Sequence, residues 1–179
     1  MNKCSKTNVS ERQFKKGAYI MPPKPKFTKE MLIQTAIELA KEGGLEAIVA
    51  RNLGAKLDTA PSTIFTHFNS VEEIRQAVIA EARVLYNRYV EEGLRMVPPM
   101  KGFAVQYIRF AMEEPMLYSV LFMKKREDFK YVDFIVDEGH YEKIITAAET
   151  DFSLNREQAE FVYHNMWAYA HGLAVMSAT

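Results

Sequence analysis

Ser62, Thr63, Thr66 and His67 crowd into the stretch that begins at Pro61. Their hydroxyl and imidazole groups can each donate or accept a hydrogen bond, and the Thr63 methyl adds a small apolar contact. Nothing around them would make one a nucleophile. There is no G-x-S-x-G and no G-x-x-x-x-G-K-[ST], and Gly43-Gly44 reads as a helix stop rather than a phosphate cradle. The chemistry that remains is recognition without bond-making, so no enzyme activity is expected. Upstream, Arg51 and Lys56 supply cations, and Thr28 opens a helix whose free N–H groups favour an anion. Duplex nucleic acid offers that combination: phosphates along its flanks and donor and acceptor edges in a major groove about 12 Å wide. Arg51, Lys56 and Thr28 read equally well as solvated or capping residues. Ile64 and Phe68 read as core, and Phe65 as packing rather than base contact.

The surrounding elements are placed to hold this stretch out. Thr28 is a good N-cap, and Leu32, Ala36, Leu39 and Ala40 fall on one helical face before Gly43-Gly44 ends it. A short helix over about 49–57 follows, then the turn Asp58-Thr59-Ala60-Pro61, then another short helix over roughly 61–67 that starts on proline. Two short helices across a tight turn, after a longer one, make a helix-turn-helix. Ser70-Val-Glu-Glu73 is a capping box for a long helix with Val71, Ile74, Val78, Ala82, Leu85 and Tyr89 at 3/4 spacing, ending near Gly93. Pro98-Pro99 breaks the chain. Helices are expected over about 101–114, 115–124 and 128–150 (with Gly139 as the point of any interruption), and a last one capped by Asn155-x-x-Gln158. No strand-type alternation persists, so the predicted fold is all-α.

The net charge of zero conceals a division. Residues 1–69 carry 11 Lys+Arg against 6 Asp+Glu, or +5, and residues 70–179 carry 12 against 17, or −5. A basic front on an acidic body suits a nucleic-acid module joined to one that avoids nucleic acid; chance clustering is the alternative. A hydrophobic fraction of 48% and a charged fraction of 26% are those of a soluble globular chain. No apolar stretch approaches the roughly 20 residues a membrane span needs, and no basic leader precedes an apolar run. The single Cys4 excludes an intramolecular disulfide and a cysteine-based zinc site. A cytoplasmic protein without cofactor or membrane association is expected. Residues 1–25 read as a flexible arm; Met21 is also a plausible start, which would make the first twenty residues an extension.

From Lys26 to Ala80 the chain resembles the DNA-binding domain of the TetR/AcrR family of transcriptional regulators. The likeness rests on Thr63-Ile64-Phe65-Thr66-His67-Phe68, in place of the family's Thr-Ile/Leu-Tyr-x-x-Phe core, and on Ser70-Val71-Glu72-Glu73-Ile74 at the entry to the long helix. Val71 stands where many members carry a phosphate-contacting Lys, Val49 where a capping Thr is usual, and Asp58 where Gly is common. The resemblance implies that Thr28, Arg51, Lys56, Pro61, Ser62, Thr63, Thr66 and His67 meet DNA. It also implies a reader over 26–70 and a helical ligand-binding and dimerisation domain over 71–179. A homodimer on a palindromic operator, released by a small-molecule effector, would follow, with repression as the usual outcome and activation as the other. The alternative is a truncated ligand-binding or interaction protein of the same fold without specific DNA binding.

The second half resembles the family more loosely, through Phe110-Ala-Met-Glu-Glu-Pro115 and through Trp167-Ala-Tyr-Ala-His171-Gly172, a Trp…His-Gly pattern of one subgroup. The family's final dimer helix would follow this pattern, yet the chain stops at Thr179, which implies either a truncated gene or an interface without that helix. Met96, Met100, Met112, Met116, Met123, Met166 and Met176 are interleaved with aromatics, which suits either a bundle core or an adaptable pocket. Phe103, Tyr107, Phe110, Phe122, Met166, Trp167 and His171 are the candidates to line an effector cavity for an apolar or aromatic molecule. His164 and His171, two helical turns apart, lack the further ligands a metal needs and read as satisfied core histidines. Lys124-Lys125-Arg126 reads as a solvated loop.

Overall fold

The structure, a computed structural model, describes residues 27–123 and 138–178. The readings for the N-terminal arm, for Lys124-Lys125-Arg126 and for a helix before residue 138 lie outside the described residues. Within them, all regular structure is helical, and no helix is long and apolar enough to cross a membrane.

Helix α1 (Lys29–Gly43) starts at Thr28, whose hydroxyl accepts from the Met31 N–H at 3.2 Å, and buries Leu32, Ala36, Leu39 and Ala40. Gly44 ends it at φ 68°, a left-handed conformation open to glycine at little cost. After a 3₁₀ turn over Leu45–Ala47, α2 (Ala50–Lys56) begins at Val49, which has no oxygen to cap it. The Asn52 amide donates back to the Ala47 carbonyl at 2.9 Å. Asp58 makes the following turn at φ 48°.

The helix expected over roughly 61–67 is a 3₁₀ helix, Pro61–Thr66. Its hydrogen bonds span three residues, Thr63 N–H to the Ala60 carbonyl and His67 N–H to the Ile64 carbonyl. That tighter pitch suits a short segment fixed at both ends, by Pro61 against Gly54 and by Phe68 in the core.

Helix α3 (Val71–Leu94) begins at the predicted cap, with one difference. The Ser70 hydroxyl accepts from Glu73 N–H at 3.1 Å, but the Glu73 carboxylate accepts from Asn69 N–H at 2.7 Å rather than from Ser70 itself. The inward face of α3 is Ile74, Val78, Ala82, Tyr86, Val90 and Gly93. Helices α4 (Pro99–Glu113), α5 (Pro115–Phe122), α6 (Glu138–Phe152) and α7 (Arg156–Ala178) complete the body. Gly139 lies inside the first turn of α6 and does not interrupt it.

Two connections hold this bundle in register. Pro98 cannot cap α4 with a side chain, and Asp151 at the far end of α6 does so instead, its carboxylate accepting from Met100 N–H at 2.8 Å. Asn155 and Gln158 cap α7 reciprocally, and Arg156 grips Glu142 of α6 through two bonds of 2.7 Å. Where α3 meets α4 the backbones nearly touch: a Cβ on Gly93 would stand 2.7 Å from the Gly102 carbonyl oxygen. One continuous core runs from Phe27 and Leu32 through Ile74 and Tyr86 to Tyr163 and Ala174.

Candidate nucleic-acid interface and aromatic interior

The Pro61–Thr66 segment is anchored from beneath and open above. Ile64 is fully buried and Phe68 is 3% exposed, whereas Pro61, Ser62, Phe65 and Thr66 are exposed and Thr63 is half-buried. Leu53 and Gly54 of α2 are buried below, and a Cβ on Gly54 would meet the Thr59 carbonyl at 2.8 Å. That close approach lets the second short helix sit flush on the first. The Thr66 hydroxyl donates to the Thr63 carbonyl at 2.8 Å, which keeps a lone pair available outward. Phe65, expected to pack, is 45% exposed on this surface. Alternation of exposed and buried positions about Ile64 and Phe68 is the signal that points to it.

The other candidates divide. Arg51 is exposed on α2. Lys56 is held within the chain by Glu42 at 2.7 Å and Glu38 at 3.4 Å on α1, and its hydrogen bond with Glu42 raises the ammonium pKa above its ordinary value. His67 Nε2 lies 3.2 Å from the Phe27 carbonyl, with the two rings 5.4 Å apart, so the imidazole is turned to the start of α1 and away from the open surface. Thr28 spends its oxygen on the helix cap. Lys29, which the sequence reading passed over, lies with its ammonium 4.8 Å above the Phe68 ring centroid. Its position directly after the cap was the available signal. The surface therefore brings Pro61, Ser62, Thr63 and Thr66 together with Phe65, and turns Lys56 and His67 to structural contacts.

The aromatic candidates of the body are mostly interior. Phe103, Tyr107, Phe110 and Phe122 are buried. Tyr107 and Tyr118 hydroxyls approach His171 Nδ1 at 2.9 and 2.7 Å, and Trp167 stacks on the imidazole at 4.8 Å and 10°. Tyr118, absent from the sequence-derived set, is thus central to it. Burial first, and then neighbouring tyrosines, push the phenols of Tyr107 and Tyr86 far above their ordinary value, so both stay protonated hydroxyls. Met166 is half-buried and packs against the core. It lines an outer groove of about 460 Å³ between α4 and α7 with Ala104, Ile108, Tyr169 and Leu173. Beside that groove, α4 and α7 expose Val105, Met112, Phe161, Tyr169 and Met176. Of the interleaved methionines, Met100 is buried, while Met96, Met112, Met123 and Met176 are exposed. Among the described residues no group of three or more His, Cys, Asp or Glu is placed to hold a metal ion.

The Pro61–Thr66 surface and the interior are joined through α1 and α5. Lys41 pairs with Glu114 at 2.7 Å, and a Cβ on Gly44 would stand 3.4 Å from the Met116 terminal methyl. Tyr118 sits one turn further along α5.

No protein-family model matches the chain. It is similar to an uncharacterised HTH-type transcriptional regulator, YobS, of Bacillus subtilis (strain 168), with 23% identity over 107 residues. The match covers 58% of this chain and 56% of that protein, so the chain spans just over half the length of the curated relative it matches.

Proposed function

We propose that the chain is a DNA-binding transcriptional regulator of the TetR type, with a reader over 26–70 and a helical regulatory body over 71–179. The observation that carries this reading is the outward-facing surface of Pro61, Ser62, Thr63 and Thr66 above buried Ile64 and Phe68. Short hydroxyl side chains in that position match donor and acceptor edges in a major groove, and Arg51 is placed for phosphate. Similarity to an HTH-type regulator agrees with it.

In this proposal the protein acts as a homodimer, because one reader of this size contacts a single half-site and two would engage a palindrome. The apolar face of α4 and α7, with Phe161, Tyr169 and Met176 each more than two-thirds exposed, supports self-association. An effector in the aromatic interior would bias α5 and hence α1, lowering operator affinity by its differential binding to the two states. The test is a fluorescence-anisotropy titration on the chain's own upstream region and on random duplex across a salt series. Preference for the upstream region and a negative salt slope are expected. Equal weak binding to both with a flat slope would support instead a ligand-binding remnant of the same fold.

A further inference from the structure

Of the three phenylalanines between residues 27 and 70, two are core and one is not. Phe27 and Phe68 are 2% and 3% exposed, whereas Phe65 is 45% exposed and stands outside the core cluster that takes in its neighbour Ile64. A ring left half in water forfeits much of the burial by which an aromatic side chain stabilises a fold. Single exposed apolar residues are common on protein surfaces, so exposure alone assigns nothing to Phe65. Its register does.

The pitch of Pro61–Thr66 decides which side chains share a row. In a 3₁₀ helix three residues complete a turn, so positions i and i+3 eclipse one another. Phe65 therefore stands in line with Ser62, and Thr66 with Thr63. In an α-helix the same pairs would be offset by about 60°. The two rows differ in what they leave free. Thr63 is half-buried, and its carbonyl already accepts from the Thr66 hydroxyl at 2.8 Å. Ser62 and Phe65 are both exposed. The start of the segment is held by Pro61 against Gly54, where an added Cβ would stand 3.3 Å from the proline backbone.

A hydroxyl in line with a phenyl ring suits a base edge that carries a polar atom beside an apolar one. In the major groove thymine displays its O4 acceptor and its C5-methyl, whereas cytosine, adenine and guanine display no methyl. The ring has no donor or acceptor with which to hold a phosphate, so its contact with a duplex is apolar. We propose that Phe65 is a specificity-determining residue that covers a thymine methyl in the operator, with the Ser62 hydroxyl bonding the base edge beside it. This rests on the DNA-binding reading above.

The test uses the full chain and fluorescence anisotropy on three duplexes: its own upstream region, the same duplex with deoxyuridine for every thymidine, and a random duplex. Uracil removes the methyls and leaves each hydrogen-bonding atom in place. The parent should bind the thymine duplex at least about fourfold more tightly than the uracil duplex, the equivalent of about 0.8 kcal/mol for one buried methyl. Phe65→Ala should bring that ratio towards one, and Phe65→Leu, which keeps an apolar side chain, should retain most of it. A parent ratio near one overturns the proposal without any variant. So does a Phe65→Ala protein that keeps the parent's ratio, or that loses affinity equally on thymine and uracil duplexes. A change in subunit mass on sedimentation with the ratio unchanged would make Phe65 a protein contact instead. Preference for the upstream region with a ratio near one removes only the role of Phe65. No preference over random duplex removes the DNA-binding reading, and this proposal with it.

Discussion

Lys41 Nζ lies 2.7 Å from Glu114 Oε1, an ion pair that joins the last turn of α1 to the residue between α4 and α5. Lys41 is 42% exposed and Glu114 18%, so solvent screens much of the attraction and the pair adds less than about 1 kcal/mol to stability. Its importance is positional. Glu114→Gln is expected to shift the chemical-denaturation midpoint only slightly. If the proposed effector response operates, it should reduce the free-energy coupling between effector and duplex by about 0.5–1 kcal/mol, read as a smaller change in DNA affinity on adding effector. Unchanged coupling would remove α1–α5 contact as the route.

The proposed DNA-reading surface makes contrasting demands of its residues. Thr63→Ala should cost about 1–3 kcal/mol on the preferred duplex and far less on random DNA. Arg51→Ala should weaken both alike and lower the magnitude of the salt slope by about 1. Anisotropy titrations on the two duplexes separate these outcomes, and equal losses for Thr63→Ala would show that it does not read bases.

Two glycines predict opposite signs. A Cβ on Gly54 would meet the Thr59 carbonyl at 2.8 Å and Pro61 at 3.3 Å, both backbone, so Gly54→Ala forces the Pro61–Thr66 segment away from α2. A loss of about 1–3 kcal/mol is expected, with weakened duplex binding. A Cβ on Gly172 meets nothing within 4 Å, and Gly172→Ala should stabilise α7 by about 0.5–1 kcal/mol. Thermal denaturation of the two variants measures both.

Much of this was readable in the sequence, and the reasons are local. Thr28, Gly44 and Ser70 act through neighbours three or four residues away, so spacing alone places them. Ile64 and Phe68 follow from the same periodicity. What the sequence hid is long-range. Asp151 capping α4, Lys56 drawn to Glu42, and His67 turned to Phe27 depend on contacts between segments distant along the chain. Tyr118 reads locally as one more apolar position on a short helix. Only the approach of α7 shows its hydroxyl beside His171.

Tyr89 offers a pH signature independent of function. Its hydroxyl donates to Glu113 at 2.7 Å, and burial, with that hydrogen bond, raises its pKa from 10.0 to about 12. A pKa raised on folding contributes stability that is whole below 10 and drains away as pH climbs towards 12. Denaturation midpoints should therefore fall across that window, and Tyr89→Phe should flatten the fall. A slope identical in the variant would assign the loss to other phenols.

The near-contact of Gly93 with Gly102 makes the far end of α3 a lever. With no side chain between the two backbones, Gly93 and Gly102 set the closest approach of α3 to α4, and any tilt between the helices would turn about that point. From Gly93 back to Val71 the helix runs about 33 Å, so a turn of roughly 5° there sweeps its opposite tip through about 3 Å. That is close to the spacing of consecutive base pairs, about 3.4 Å. In the proposed function, a small tilt set at the Gly93–Gly102 end would therefore be enough to move an attached segment from one rung of a duplex to the next.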